Sequence, residues 1–270
     1  MTEPTTTPNT SATSPYGTLY LVPAPLDFGC DSQTALTESL PEGTLRIASQ
    51  LTHWISENAK SARAYLKRID ALYPLAQPIQ AQDIAELPRE AHKKGDHGNK
   101  GSAVFDPKPL LAPALAGHPM GLISEAGMPA VADPGSSIVR AAHDLGIKVV
   151  PLTGPVSLLL ALAASGLNGQ NFAFVGYLPQ DSSERSQRIK DLEQLALRHG
   201  QTQQFIETPY RNAALWQALL QNLQANTRLV MASGLTLESA RIESHLVREW
   251  RQRNLPAPDN RTPTVFSIGR

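Results

Sequence analysis

The chain has 270 residues, 41% of them hydrophobic, which is enough for one large α/β domain or two smaller ones. Acidic and basic residues balance at 24 each, so the formal net charge is zero, which argues against a strongly electrostatic nucleic-acid binder. The single cysteine, Cys30, excludes an intrachain disulfide, a zinc–thiolate cluster and an iron–sulfur site, and it slightly favours a cytoplasmic address.

Two segments are predicted to lie outside the folded core. Residues 1–16 are rich in Thr, Pro and Ser and lack the pattern of a signal peptide, so we expect a disordered tail. Residues 92–103 are polar, basic and glycine-rich, which is typical of a mobile loop. The longest apolar run, residues 156–164, is shorter than the roughly 20 residues of a membrane span. We therefore expect no membrane partner.

The first half of the chain alternates between apolar runs and segments with helical spacing. In chain order the patterns predict a strand that begins at Gly17 and ends at Pro23, a helix at 42–51, a strand at 52–56, a helix at 57–69, a proline-interrupted helix at 106–118, and a strand at 119–124. Residues 136–146 read as a helix with Asp133 as its cap, Pro134 in its first turn and Gly146 just beyond its end.

The second half continues the alternation, beginning with a strand at residues 147–152. Residues 153–166 read as a helix that is apolar on every side and is therefore expected to be buried. Asp181 and Gly200 bracket an amphipathic helix. The remaining patterns predict strands at 171–178, 202–207, 227–233, 239–246 and 262–270, and a helix at 208–224. This alternation defines the α/β class.

Glycine and proline are concentrated at strand-to-helix turns, in SEAGMP, ADPG and TGPVS within residues 124–157. In open α/β sheets these turns lie at the carboxyl edge of the strands, where ligands usually bind. Glycine lets the backbone approach a ligand closely, and proline stiffens the turn. Three such turns in one segment favour a binding site in which main-chain atoms hold a polar small molecule. They make it less plausible that the glycines and prolines only end short loops.

Several common signatures are absent from the sequence. It contains no G-x-G-x-x-G after a strand, no G-x-x-x-x-G-K-[ST], no H-E-x-x-H and no G-x-S-x-G. None of the histidines pairs with an acid or another histidine at ligand spacing, so no metal site is predicted.

Residues 122–167, LISEAGMPAVADPG through ALAASGL, resemble the core signature of the tetrapyrrole-methylase superfamily of S-adenosylmethionine-dependent methyltransferases. The similarity is closest to the branch that methylates a ribose 2′-hydroxyl in small-subunit ribosomal RNA. Further similarity lies in GTLYLVPAP, FAFVGYLP and FIETPYR, so the match runs in order from about Gly17 to about Arg211.

The resemblance implies two α/β domains, each a mixed sheet flanked by helices, with the cofactor S-adenosyl-L-methionine in the cleft between them. We place the domains at residues 17–152 and 153–270. The resemblance also implies a homodimer, and ribosomal RNA or the small ribosomal subunit as the partner, in the cytoplasm. By the same resemblance the cofactor-binding residues would be Pro23, Ser124, Glu125, Gly127, Met128, Asp133, Gly154, Pro155, Val156, Ser157, Phe174, Gly176, Glu207 and Pro209.

The chain departs from this branch on the acceptor side. Where the branch has an EDTR motif, this chain has ENAK, which keeps Glu57 but replaces the other three residues. A ribose hydroxyl is a poor nucleophile at neutral pH, so a nearby base would help its methylation. We predict Glu57 as that base and Lys60 as a phosphate anchor or an orienting cation. These departures leave two alternatives open: a methyltransferase for a tetrapyrrole or other small molecule, and a cofactor-binding paralogue without RNA activity.

Overall fold

The computed structural model describes residues 15–88, 105–253 and 256–270. The predicted tail at residues 1–16 falls almost wholly outside these ranges, and the predicted loop at residues 92–103 lies wholly outside them. The first half of the described chain contains β1 (Leu19–Val22), α1 (Leu36–Ser39), α2 (Glu42–Gln50), β2 (His53–Ser56), α3 (Ala59–Asp70), a 3-10 turn (Ile79–Ala81), β3 (Asp83–Glu86), a second 3-10 turn (Lys108–Leu111), α4 (Ala112–Leu115), β4 (Met120–Ile123), α5 (Ser136–Asp144) and β5 (Val149–Pro151).

The second half builds a separate sheet with its own helices. Its elements are α6 (Ser157–Ser165), β6 (Phe172–Tyr177), α7 (Ser182–His199), β7 (Thr202–Ile206), a third 3-10 turn (Pro209–Arg211), α8 (Asn212–Asn222), β8 (Arg228–Ser233), β9 (Arg241–Leu246), α9 (Val247–Gln252) and β10 (Thr264–Gly269). No described helix combines the length and the apolar character needed to cross a membrane.

The first sheet has the strand order β3-β2-β4-β1-β5, and its four pairings are parallel. Helices α1, α2 and α3 cover one face, where Trp54 is 1% exposed among Val22 and Ile123. The α4 and α5 segments cover the other face through Ala114 and Ile138. Parallel strands are stable when both faces are covered, which matches this arrangement.

A crevice opens at the carboxyl edge of β4. The chain that follows β4 passes to one face of the sheet, whereas the chain that follows each neighbouring strand passes to the other face. β4 lies between β1 and β2, whose following helices pack on one face, while α5, which follows β4, packs on the other. Loops that diverge from adjacent parallel strands leave the crevice in which α/β proteins bind ligands. The turn at residues 124–135 therefore lies at the switch point of the sheet.

The second sheet has the order β6-β7-β10-β8-β9, with β6 and β7 parallel and the other pairs antiparallel. Helices α7, α8 and α9 cover one face around Phe205, Trp216 and Phe266. On the other face α6 packs Leu158 and Ala161 against the sheet. The α/β class with two helix-flanked sheets is confirmed, whereas the boundary between residues 152 and 153 stays a prediction.

Three details of the sequence-based assignment need correction. Asp133 does not cap α5, because the cap position is taken by Gly135 with a φ of 131°. The helix of residues 153–166 is not buried all round, because Leu159 and Leu160 are 51% and 39% exposed. The sequence patterns predict no element at helix α1, strand β3 or helix α9. By contrast, Asp181 accepts hydrogen bonds from the Ser183 and Glu184 amides, and Gly200 ends α7 in the left-handed conformation, as expected.

Candidate functional site

A cavity of about 250 Å³ lies where the loops of the first sheet face the second sheet. The first half contributes the loop after β1 and the turn after β4, and the second half contributes the start of α6 and the ends of several strands. The lining residues are Leu26, Phe28, Ala126, Gly127, Met128, Val131, Ala132, Asp133, Val156, Ser157, Leu158, Tyr177, Ile206, Glu207, Thr208, Pro209, Ala232, Gly234, Leu235, Pro263, Thr264 and Val265. The mixture of an apolar wall with a few polar groups is typical of a small-molecule site.

The turn after β4 is fixed by main-chain bonds and holds unusual backbone angles. Gly127, with a φ of 70°, exchanges both backbone hydrogen bonds with Ala24 at 2.9 and 3.0 Å, which ties this turn to the end of β1. Ala130 and Ala132 have φ values of 65° and 64°. Alanine adopts this region at a cost of about 1–3 kcal/mol, so the surrounding structure must hold the turn in place. Such strained segments concentrate at ligand sites.

Three acidic side chains, Glu57, Glu125 and Asp133, form what we call the carboxylate cluster, of which Asp133 lines the cavity. Burial raises the pKa of Asp133 to about 7, and Glu57 and Glu125 add to the shift, while the Ser124 hydroxyl acts in the opposite direction. Desolvation and nearby like charges both disfavour the ionised form, which explains this direction. Asp133 therefore changes charge near neutral pH.

The carboxylate cluster is connected to helix α3. The Ser61 hydroxyl in the first turn of α3 donates a hydrogen bond to Glu125 Oε1 at 3.2 Å. Asn58 caps the same helix, because its Oδ1 accepts from the Lys60 amide at 2.8 Å. The ENAK segment, where this chain departs from the related branch, thus supplies a good helix cap.

On the opposite wall, Glu207 is held by an ion pair with Arg211. The Glu207 side chain is 1% exposed, and its Oε1 accepts from Arg211 Nη2 at 2.7 Å and Nε at 3.0 Å. The same oxygen accepts from the Thr208 amide at 2.7 Å. Arg211 therefore compensates the charge of this wall carboxylate.

Tyr177 ends β6 at the rim of the cavity and is 55% exposed. Partial desolvation raises the pKa of the phenol, and the Asp133 and Glu207 carboxyls add to the shift. This phenol lies in the field of both wall carboxylates, one from each sheet. It stays protonated at neutral pH and can donate a hydrogen bond into the cavity.

Half of the predicted cofactor-binding residues line the cavity: Gly127, Met128, Asp133, Val156, Ser157, Glu207 and Pro209. The other half stand behind the wall or beside it: Pro23, Ser124, Glu125, Gly154, Pro155, Phe174 and Gly176. Pro23 packs against Gly154, Ser124 and Glu125 act on Asp133, and Phe174 packs against the hydrophobic cluster that contains Leu158. Gly176 lies in the bulge of β6. Their contact with a cofactor remains a prediction for all fourteen.

The two predicted catalytic residues lie at the start of α3, outside the cavity wall. Glu57 directly follows β2, is partly buried, and acts electrostatically on Asp133. Lys60 is exposed in the first turn of the helix. Glu57 thus belongs to the carboxylate cluster and Lys60 lies three residues further along the chain, and the chemical roles of both stay predictions.

Sequence reasoning missed most of the wall contributed by the second sheet. Leu235, Thr264 and Val265 line the cavity but come from β10 and the loop after β8, and only the tertiary fold brings them to it. Tyr177 could have been predicted, since it follows a glycine near the end of the predicted strand at 171–178. Among the described residues, no three His, Cys, Asp or Glu side chains are arranged to hold a metal ion.

A second, polar cavity of about 350 Å³ adjoins the first, since Phe28 lines one and Gly29 the other. Its walls include Cys30, Ser239 and Arg261. Burial raises the pKa of the Cys30 thiol, and Asp27, Asp31 and Asp259 add to the shift. The raised pKa favours the protonated thiol over the thiolate at neutral pH.

The fold and its switch-point cavity define an α/β protein with a small-molecule site between two sheets. The family model of tetrapyrrole (corrin/porphyrin) methylases matches residues 58–250, which is most of the chain. The chain therefore belongs to this family.

Similar proteins were found by sequence and by structure. The chain is 35% identical over 127 residues to ribosomal RNA small subunit methyltransferase I of Vibrio cholerae serotype O1, covering 47% of this chain and 43% of the relative. It is 30% identical over 198 residues to the protein of the same name from Streptococcus pyogenes serotype M3, covering 72% and 57%. The chain thus spans about half the length of the curated relatives it matches.

Two solved structures share the fold at low sequence identity. The methyltransferase CobJ has a TM-score of 0.53 at 16% identity, covering 94% of both chains. Uroporphyrin-III C-methyl transferase from Thermus thermophilus, complexed with S-adenyl homocysteine, has a TM-score of 0.50 at 18% identity, covering 94% of this chain and 98% of that one.

Proposed function

We propose that this protein transfers a methyl group from S-adenosyl-L-methionine to a ribose 2′-hydroxyl of small-subunit ribosomal RNA. Membership of the methylase family supports the reaction, and the names of the sequence relatives support the RNA as acceptor. The choice of a ribose 2′-hydroxyl as the acceptor rests on the resemblance of residues 122–167 to the branch that methylates this group. The single observation that carries the proposal is the cavity at the switch point, walled by the turn after β4 and the start of α6.

The composition of the cavity wall suits this cofactor. Leu26, Val156 and Leu235 offer apolar surface for a purine ring, and we propose that main-chain groups of the turn after β4 supply hydrogen bonds. Asp133 and Tyr177 offer polar groups for the amino-acid end and the sulfonium. We assign the cavity to this cofactor, with Gly127, Met128, Val156 and Ser157 among its walls.

When bound, the cofactor supplies an electrophilic methyl group on a sulfonium. The task of the protein is then to hold an acceptor oxygen in line with that methyl group and away from bulk water. We propose that Glu57 accepts the hydroxyl proton and that Lys60 orients a neighbouring phosphate. Glu57, a member of the carboxylate cluster, precedes α3 and Lys60 lies in the first turn of that helix, and these positions support acceptor-side roles.

An RNA acceptor is supported by the exposed face of α3. Lys60, Arg63 and Lys67 are spaced three and four residues apart, so they share one face of the helix, and all three are exposed. No acidic residue occurs in α3 before Asp70. We call these three side chains the basic face of α3 and propose that it contacts the RNA backbone, which also implies a cytoplasmic location with the ribosome.

A homodimer is proposed from the outward face of α6. Leu159, Leu160, Ala163 and Ala164 are exposed along this helix, and Ile242 of the neighbouring edge strand β9 is 38% exposed. Because Ser244 on β9 donates to the Ser165 carbonyl at 2.7 Å, these two elements present one continuous surface. A continuous apolar patch of this kind is typical of a protein–protein interface. We propose that a second copy of the chain covers it.

The test is methyl transfer from labelled cofactor to small ribosomal subunits purified from cells that lack this protein. We expect label in the RNA at a ribose, and no label with subunits from cells that contain the protein. Label in a small-molecule fraction would instead support the tetrapyrrole alternative. Binding without any transfer would support a non-catalytic paralogue.

A cavity-filling variant links the activity to this site. Val131 lines the cavity but is 40% exposed, so Val131→Trp adds bulk there without disturbing the core. We expect this variant to lose cofactor binding in calorimetry. Leu115→Trp is the matched control, since Leu115 is 38% exposed and lies outside the cavity wall. Equal binding by both variants would remove the cavity from the proposal.

A further inference from the structure

The loop after β1, residues 23–35, carries two walls of the cavity, Leu26 and Phe28, although it contains neither helix nor strand. Phe28 is 46% exposed, so burial does not hold its side chain in place. Within residues 26–35, all of which lie in the described part of the chain, the one buried residue is Asp27, at 2% exposure. The buried side chain that anchors this part of the loop is therefore a carboxylate.

Asp27 is bound by Arg68 of helix α3. Arg68 Nη1 donates to Asp27 Oδ1 and Arg68 Nη2 donates to Asp27 Oδ2, each at 2.9 Å. The same Nη2 also donates to the Thr34 carbonyl at 2.8 Å. A guanidinium that binds both oxygens of a carboxylate fixes the direction of the contact as well as its distance. One side chain of α3 thus holds the loop at two points, seven residues apart along the chain.

The start of the same loop is held by other contacts. Tyr65 lies on the same face of α3 as Arg68, and its buried hydroxyl donates to the Pro23 carbonyl at 2.8 Å. Ala24 exchanges two main-chain hydrogen bonds with Gly127 in the turn after β4. The start of the loop is therefore held without Arg68, whereas the wall portion has its buried anchor in the contact with Arg68.

We propose that Arg68 is a positioning residue for cofactor binding: through Asp27 it holds Leu26 and Phe28 in the places from which they contact the ligand. The inference rests on the proposed function, which makes that ligand S-adenosyl-L-methionine. Arg68 itself lies outside the cavity wall, so it acts on the ligand through the loop. A buried ion pair adds little net stability, because desolvation offsets the attraction, so the main effect of this pair is on the orientation of the loop.

The experiment measures the dissociation constants of S-adenosylmethionine and S-adenosylhomocysteine by calorimetry for the wild type, Arg68→Ala, Arg68→Lys and Asp27→Asn. We expect each variant to bind both ligands roughly tenfold more weakly, because two wall side chains must then be ordered during binding. Arg68→Lys keeps the positive charge but cannot reproduce the planar contact with both carboxylate oxygens. It therefore separates loss of the bidentate contact from loss of charge.

Glu193→Gln is the matched control for Asp27→Asn, because both carboxylates are 2% exposed and both substitutions remove the charge. Glu193 accepts a hydrogen bond from the Gln224 amide at 2.7 Å and lies outside the cavity wall. We expect this variant to lose stability in urea and to keep both dissociation constants. Equal weakening of binding by Glu193→Gln would show that lower stability alone explains the effect, and it would overturn the proposal.

Two further measurements report the position of the loop rather than the stability of the whole protein. Hydrogen exchange across residues 26–35 should become faster in Arg68→Lys and slow down again when S-adenosylhomocysteine binds, with no such change in Glu193→Gln. In a double-variant cycle, Arg68→Lys should weaken binding less when Phe28→Ala is already present, because a wall side chain that Arg68 positions is then missing. Additive effects of the two substitutions would contradict a role that acts through this wall.

The outcomes separate this inference from the proposed function. If the wild type binds neither ligand, the proposed function fails. If the wild type binds both ligands and the Arg68 and Asp27 variants bind them equally well, the proposed function stands and the role of Arg68 is wrong. Should Arg68→Ala fail to fold, Arg68→Lys and Asp27→Asn still test the proposal.

Discussion

Gly154 lies so close to Pro23 that a β-carbon at residue 154 would be 2.3 Å from the Pro23 Cγ atom. Through this contact the loop after β5, which contains Gly154, packs against the loop after β1, which contains Pro23. Both loops flank the cavity. A hydrogen bond from the Thr44 hydroxyl to the Thr153 carbonyl at 2.8 Å holds the same loop from the side of α2. Glycine is therefore required at residue 154 by packing.

Gly154→Ala should destabilise the protein by about 1–3 kcal/mol, the usual cost of forcing an extra carbon into a packed site. Denaturation by urea measures the difference. Gly43→Ala is the matched control, because a β-carbon there meets nothing within 4 Å and residue 43 lies in α2. Alanine is the better helix former, so the control should gain up to about 1 kcal/mol. Equal effects of the two substitutions would contradict the packing argument.

The raised pKa of Asp133 predicts a pH-dependent effect on stability. The unfolded carboxyl ionises near its ordinary value, while the folded one ionises only at about 7. Between these values the folded state binds more protons, so stability decreases as the pH rises through this window. Asp133→Asn removes this penalty. Its gain over wild type should be near zero at about pH 4 and grow to roughly 2–4 kcal/mol at about pH 8.

Urea denaturation of both proteins across this pH range measures the effect. Asp144→Asn, at the exposed end of α5, serves as the control and should show no such trend. A gain for Asp133→Asn that does not depend on pH would show that Asp133 titrates at its ordinary value in the folded protein.

The sequence predicts those parts of the fold that depend on local rules. Asp181 and Gly200 bracket α7 because capping and left-handed termination are encoded within a few residues. The Gly/Pro-rich turn after β4 likewise marks the cavity, because strand-to-helix turns gather at one edge of a parallel sheet. Local chemistry was sufficient in both cases.

Other parts depend on packing between distant segments. Asp133 and Pro134 look like a helix start, but Gly135 takes the cap, and Asp133 instead lines the cavity. The exposure of Leu159 could not be predicted, since an apolar helix shows no preferred face until the sheet beneath it is known. The wall residue Thr264 lies far from Asp133 along the chain, since strands β6 to β9 come between them in the sequence. No local sequence pattern therefore connects these two residues.

If the basic face of α3 contacts RNA, substitutions there should reduce methyl transfer without reducing cofactor binding. Lys60→Glu, Arg63→Glu and Lys67→Glu should each weaken methyl transfer to ribosomal subunits and leave cofactor affinity nearly unchanged. If a side chain contacts a phosphate, its loss should lower the slope of log affinity against log salt by about 0.7–0.9. Transfer assays at several salt concentrations, with calorimetry for the cofactor, measure both quantities.

The control for this face is Lys190→Glu, which reverses an exposed charge on α7, a helix of the other sheet. It should leave both quantities unchanged. An equal loss of cofactor affinity and transfer in Lys60→Glu would reject an acceptor-side role for this residue.

The outward face of α6 predicts the assembly state. Leu159→Glu places a charge at a position that is 51% exposed in the single chain, so it should not disturb folding. In a dimer built on this face the charge would be buried, and we expect the protein to become monomeric in light scattering after size exclusion. Leu195→Glu, at a 40% exposed position on α7, should remain a dimer. A wild type that is monomeric at all concentrations would rule out the proposed interface.

The ion pair between Arg211 and Glu207 predicts a large coupling energy. Because the Glu207 side chain is 1% exposed, Arg211→Ala leaves a buried charge without its partner, and we expect a loss of about 2–4 kcal/mol. Glu207→Gln should cost less, since it removes the charge that needs compensation. The double variant should be less destabilised than the sum of the two single variants, with a coupling of about 1–3 kcal/mol.

The exposed pair of Arg46 and Glu42 provides the comparison, because side chains that are 64% and 61% exposed should couple by less than about 1 kcal/mol. Urea denaturation of both cycles measures the two couplings, and equal values would show that burial of Glu207 contributes nothing to the strength of its pair.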